Sequence, residues 1–132
     1  MNKNIKLLLV ILWMIFIFVM SSFNANDSSN QSNFIVNIIA NIFKINDISL
    51  LSFIIRKLAH FTEYFILGVL LYNYLLEYHK RPYLCIIICL LYAISDEVHQ
   101  LFVIGRSCQV RDIIIDCLGS IIGIYLFKRI RK

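Results

Sequence analysis

Residues 83–104 read YLCIIICLLYAISDEVHQLFVI, and this stretch decides what kind of fold the chain can form. From Tyr83 to Ser95 there is no charged residue, and neither proline nor glycine interrupts the run. About 20 such residues in a helix cross a hydrocarbon core ~30 Å thick. The last third then carries Asp96, Glu97, His99 and Gln100 before Leu101–Ile104 closes it. A charge at the bilayer centre costs at least ~2.5–3.5 kcal/mol, so such groups face the interior of a helix bundle and need partners there.

The whole chain has the same character. Of its 132 residues 60% are hydrophobic and 16% charged, against about 45–50% and about 25% in soluble domains. A globule this small keeps too much of itself on the surface to hide so many apolar side chains, so lipid must solvate part of it. One proline and four glycines rule out collagen-like and low-complexity classes. The net charge of +5 would suit nucleic acid only as a basic stripe on a soluble face. Here the basic residues flank apolar runs, and no nucleic-acid partner is expected. Cys85, Cys89 and Cys117 lie in apolar runs and Cys108 in a polar loop, with no C-x-x-C pair. They read as small hydrophobes, not as a zinc or disulfide framework.

Three further runs surround the first. Ile5–Met20 begins beside Lys3 and Lys6; it is long for a signal peptide and is expected to remain as a membrane helix. Residues 21–33, SSFNANDSSNQSN, read as an aqueous loop. Residues 34–45 place Asn37, Asn41 and Lys44 among isoleucines and phenylalanines at helical spacing, as in a short interfacial amphipathic helix. Asn46 or Asp47 is positioned to cap the next helix. The expected architecture is one all-α integral membrane domain over residues 1–132. It is a four-transmembrane-helix bundle with spans near 5–22, 50–78, 83–104 and 112–127, plus the interfacial helix. With both termini in the cytoplasm, that side collects Lys3, Lys6, Lys80, Arg81, Lys128, Arg129, Arg131 and Lys132. The opposite side has Lys44, Arg56, Lys57, Arg106 and Arg111. That bias fixes the orientation in a cell membrane.

Asp27, Asp47 and Glu77 sit in loops or at a span end; Glu63, Asp96, Glu97, Asp112 and Asp116 lie within spans or at their ends. At ~1.5 Å per residue, Glu63, Asp96 and Glu97 fall about 8 Å below the outer edge and Asp116 about 6 Å. Helical spacing then aligns them. Lys57, His60 and Tyr64 share a face with Glu63 beside them. Asp96, His99 and Gln100 share another, which Glu97 flanks, and Asp112, Asp116, Gly119 and Gly123 form a stripe. Those glycines and Ser120 are the small residues that let membrane helices approach closely. One shallow extracytoplasmic site is expected.

The same residues carry a resemblance. Arg56-Lys57-Leu58-Ala59-His60-Phe61-Thr62-Glu63-Tyr64, followed by Leu67-Gly68, resembles the RK-x-x-HF-x-EY segment of the VanZ-like family. Asp96-Glu97-Val98-His99-Gln100 resembles its DE-x-HQ segment. Gly105-Arg106-Ser107, Arg111-Asp112, Asp116 and Gly119 to Gly123 resemble its final loop and helix. Trp13 with Ser21-Ser22 is similar to its usual start, and Ile104 departs from a proline often found before the Gly-Arg. The resemblance spans nearly the whole chain. It implies a bacterial membrane protein of cell-envelope homeostasis or reduced susceptibility to teicoplanin, a glycopeptide antibiotic.

Several chemistries fit these residues. His60, Glu63, Asp96, Glu97 and His99 offer ligands for a divalent metal, though H-x-x-E is a common pattern. Without metal, Glu63 or Glu97 can act as a general base, since burial raises a carboxylate's pKa and a nearby arginine lowers it. Arg106 and Arg111, with Lys57, Gln100, Asp112 and Asp116, would hold an anionic head group. The ligand would be a membrane lipid, a cell-wall precursor or a lipoglycopeptide. No motif names a cofactor or an oligomeric state. The remaining readings are a binding or transport module and a purely structural network of ion pairs.

Overall fold

The computed structural model describes residues 2–23, 25–44, 47–79 and 81–131, with the side chains of 25–32 and 43 outside that description. The cap candidate Asn46 and the flanking cations Lys80 and Lys132 lie outside the described residues, as does the side chain of Asp27. Among the described residues the chain is all helical.

Helix α1 spans Lys3–Ser22 and starts where the Asn2 side chain accepts from the Asn4 N–H. Helix α2 spans Ala25–Phe43. Helix α3, Ile48–Leu75, is capped by Asp47, whose Oδ1 accepts from the Leu50 N–H at 3.0 Å. A single 3-10 turn, Leu76–Tyr78, and a left-handed His79 reverse the chain. Pro82 opens helix α4, Pro82–Gln100, in a first turn where a missing N–H costs nothing. Helix α5 covers Val110–Ile130.

The helices α1 and α4 run one way, and α3 and α5 run the other. Lys6 near the start of α1 meets Glu77 beyond the end of α3, while Ser22 at the end of α1 lies beside His99 near the end of α4. Parallel α3 and α5 form the tightest seam. A Cβ on Gly68 would lie 2.5 Å from the Ser120 carbonyl oxygen, and one on Gly119 or Gly123 would strike the backbone of Phe61 or Phe65.

The pattern of burial is inverted relative to a soluble protein. Leu50, Ile54 and Leu58 on α3, Leu91, Ile94 and Val98 on α4, and Ile114, Leu118 and Ile122 on α5 form exposed ridges. Such continuous apolar surface calls for a lipid or protein neighbour. Inside, Leu67, Leu71, Cys85, Cys89, Ala93 and Ile124 form an apolar core toward one end. Asp96, Glu97, Gln100, Asp112 and Asp116 are buried toward the other. Lys3–Ser22 and Pro82–Gln100 are long and apolar enough to cross a membrane.

Two expectations are corrected. Most of residues 21–33 is not a loop, because α2 begins at Ala25 and takes in the segment expected only from Phe34. Serine and asparagine cost a helix only tenths of a kcal/mol each. Neither glycine nor proline breaks the stretch, and Val36 and Ala40 are buried on a helix that packs against α3. The third run stops at Gln100 instead of Ile104. Leu101, Phe102 and Val103 bond three residues back, and Gly105 turns the chain with φ 77°.

Candidate functional site

The close α3–α5 seam sets the site's registry. With no side chains at Gly119 and Gly123 to hold the helices apart, residues one and two turns earlier on α5 reach α3 directly. Lys57 Nζ donates to both carboxylate oxygens of Asp112, at 2.5 and 2.7 Å. One turn deeper, His60 Nδ1 lies 3.8 Å from Asp116 Oδ1. From α4, Asp96 completes a group in which one ligand atom from each of His60, Asp96 and Asp116 lies within 4.8 Å of the other two.

Above this group is a cleft of about 340 Å³. Its walls come from the end of α1 (Met20, Ser21), from Ile35 of α2, from α3 (Phe53, Arg56, Lys57, His60, Glu63), from Gln100, from the loop before α5 (Arg106, Gln109) and from the start of α5 (Arg111, Asp112). Four cations therefore line it. The Arg111 guanidinium sits 5.0 Å over the Phe53 ring and donates to Gln109 Oε1 at 2.8 Å. Lys57 Nζ is 5.3 Å over the same ring. Arg106 Nε donates to the Phe23 carbonyl at 3.0 Å and so ties the loop to the end of α1. Burial pushes the Arg106 guanidinium below its ordinary value, and the nearby Asp96 opposes that shift.

The expected site residues are not all in one place. Lys57, His60, Glu63, Gln100, Arg106, Arg111 and Asp112 line the cleft. Asp96 and Asp116 lie buried behind His60. Glu97, expected as a flanking group, is fully buried; its Oε2 accepts from the Gln109 N–H at 2.8 Å. It anchors the loop and does not line the cleft. His99 also leaves the group. Its Nε2 is 3.1 Å from Ser22 Oγ and its ring stacks 4.5 Å from Phe18, on the α1 side of α4. Spacing alone put it with Asp96 and Gln100, but contact with α1 takes it elsewhere.

Sequence reasoning missed several participants. Arg56, a flanking charge and part of the family-like segment but not among the expected site residues, lines the cleft, as does Phe53. Trp13 Nε1 donates to the Glu63 carbonyl at 2.9 Å, fixing α1 against the helix that carries the site. Tyr92 OH does the same to Met14 at 2.6 Å. Buried Lys6 pairs with Glu77 at the far end. For Trp13 and Lys6 the available signal was an isolated indole or lysine in an apolar run.

Among the described residues at this end, the Lys57–Asp112 pair is the one contact within 4 Å between a carboxylate and a lysine or arginine. Ser21 Oγ, His60 Nδ1, Tyr64 OH, Asp96 Oδ1, Glu97 Oε1 and both Asp116 oxygens are buried without a hydrogen-bond partner among the described residues. Such groups are rare in native proteins unless they serve a ligand, an ion or water.

An all-helical bundle with an apolar exterior, a polar cleft at one end and two helices fit to span a bilayer defines a membrane protein. The chain belongs to the VanZ/LLP1 family, whose model matches residues 6–131. No curated protein and no solved structure matches it.

Proposed function

We propose that this VanZ-like protein crosses the bacterial cell membrane four times, through α1, α3, α4 and α5, with both termini cytoplasmic and the cleft opening at the outer face. The cleft binds the anionic head group of an envelope amphiphile, either a lipid or a cell-wall precursor. Through that binding the protein acts in envelope homeostasis or lowers susceptibility to teicoplanin. The observation that carries this reading is the convergence of Arg56, Lys57, Arg106 and Arg111 on one cleft. Of these, Lys57 alone has a carboxylate partner within 4 Å among the described residues. Guanidinium groups hold phosphate or carboxylate through paired N–H donors, and exposed apolar ridges on α3, α4 and α5 beside the cleft suit acyl chains.

The test is lipid retention by the purified full-length protein, followed by native mass spectrometry after exposure to vesicles of phosphatidylglycerol or phosphatidylcholine. Wild type should retain the anionic lipid preferentially, and Arg56→Ala with Arg106→Ala should reduce that retention at least several-fold. Equal retention of both lipids, unchanged by the two substitutions, would overturn the reading.

One observation favours a second reading, in which the cleft also performs acid–base chemistry: Glu63 faces the cleft and no Lys or Arg lies within 4 Å of it among the described residues. Glu63→Gln should then abolish the effect on teicoplanin susceptibility at unchanged membrane abundance and unchanged lipid retention. Retained effect would leave binding as the whole function.

A further inference from the structure

We propose that His60, Asp96 and Asp116 form a site for one divalent transition-metal cation, of the manganese or zinc kind, at the floor of the cleft. The three residues come from three helices, α3, α4 and α5, and their ligand atoms lie within 4.8 Å of one another. Bonds of ~2.0–2.2 Å to imidazole nitrogen and carboxylate oxygen place two ligands of one ion roughly 3–4 Å apart. The 3.8 Å between His60 Nδ1 and Asp116 Oδ1 is too long for a hydrogen bond and fits two ligands with an ion between them. Closing the widest separation requires a movement of less than about 1 Å.

Independent support comes from what these atoms lack. Asp116 is completely buried and, among the described residues, neither of its oxygens has a hydrogen-bond partner; Asp96, 3% exposed, has an Oδ1 likewise without one. His60 Nδ1 is also buried and unpartnered. Two carboxylates facing each other and an imidazole in a low-dielectric interior are costly. One dication satisfies all three side chains and balances the two negative charges.

The donor set selects the class of ion. One nitrogen and two oxygens suit manganese, iron(II), cobalt or zinc; calcium prefers 6–8 oxygens and magnesium keeps most of its waters. Three protein ligands leave coordination positions open, as in sites that accept a further ligand. His60 belongs both to this group and to the cleft wall, so the open positions adjoin the cleft. On the head-group reading above, the ion is a second anchor for the anionic group; the metal site itself does not depend on that reading.

The test uses the full-length protein purified in detergent without a polyhistidine tag, stripped with EDTA and equilibrated with MnCl2. Manganese does not favour the thiols of Cys85, Cys89, Cys108 and Cys117, so bound metal reports the proposed ligands. Elemental analysis after desalting should find about one manganese per chain, and an electron-paramagnetic-resonance titration should saturate at the same ratio. Asp116→Asn, which keeps the side chain's shape, should weaken binding at least tenfold, and His60→Gln should do likewise. Arg106→Ala should bind manganese as wild type does, even where it loses phosphatidylglycerol. Wild type that binds no more than trace manganese and zinc would overturn the proposal. So would equal binding by wild type and both ligand variants when those variants elute and melt as folded proteins.

Discussion

The buried carboxylate of Glu97 holds the backbone N–H of Gln109 at 2.8 Å, so an acid on α4 fixes the start of α5 and the loop between them. That loop carries Arg106 and reaches back to Phe23 at the end of α1. Two hydrogen bonds thus link three helices around the cleft.

Replacing Glu97 separates its charge from its role as an acceptor. Glu97→Gln still offers an oxygen to Gln109 and should reach near wild-type membrane abundance. Glu97→Ala leaves that N–H without its partner and should cost about 1–3 kcal/mol. Thermal unfolding of the two purified variants compares them directly. An alanine variant as stable as the glutamine variant would mean that this bond does not anchor the loop.

The glycine seam gives a steric expectation. Gly119→Ala drives a Cβ into the Phe61 carbonyl, and overpacking of this kind costs about 1–3 kcal/mol. Ser120→Ala adds no atom to the seam and loses a bond to the Cys117 carbonyl on its own helix, so it should cost no more than about 1 kcal/mol. Quantitative immunoblotting of membranes together with melting curves checks both variants.

Lys57 and Asp112 should behave as a pair. Lys57→Met or Asp112→Asn leaves a largely buried charge unmatched, at a cost on the order of 3 kcal/mol. The double variant Lys57→Met with Asp112→Asn should recover most of the lost abundance. A double-mutant cycle on unfolding free energy measures this; purely additive effects would count against it.

Topology is tested without any substitution at the site. An alkaline phosphatase reporter fused after Arg106 should be active outside the cytoplasm, and one fused after Arg129 should be inactive. The reverse pattern would invert the orientation inferred from the lysine and arginine bias.

The membrane character, the helix order and most of the site were legible because they depend on local rules. Apolar runs of sufficient length show the helices, and spacing of three and four aligns Lys57, His60, Asp112 and Asp116 as they stand in the structure. What failed depends on neighbours. Asp96, Glu97, His99 and Gln100 occupy more than one face of α4, and only packing decides that His99 turns to Phe18 while Glu97 turns to Gln109. The early start of α2 was hidden because its polar half has weak local preference, and its attachment to α3 is a long-range fact. Arg56 was hidden by its ordinary position beside Lys57, where a flanking charge needs no further explanation.

The parallel pairing of α3 and α5 has a consequence for synthesis. Helix α5 leaves the ribosome after α3 and α4, yet it supplies Asp112 and Asp116 and the glycines that let both meet α3. Until it docks, Lys57 and His60 have no counterpart, and α4 stands beside an unfinished groove with Asp96 inside it. The cleft therefore takes shape only once α5 has been made and docked. A product that stops before Asp112 would leave Lys57 and His60 with nothing on that side to answer them.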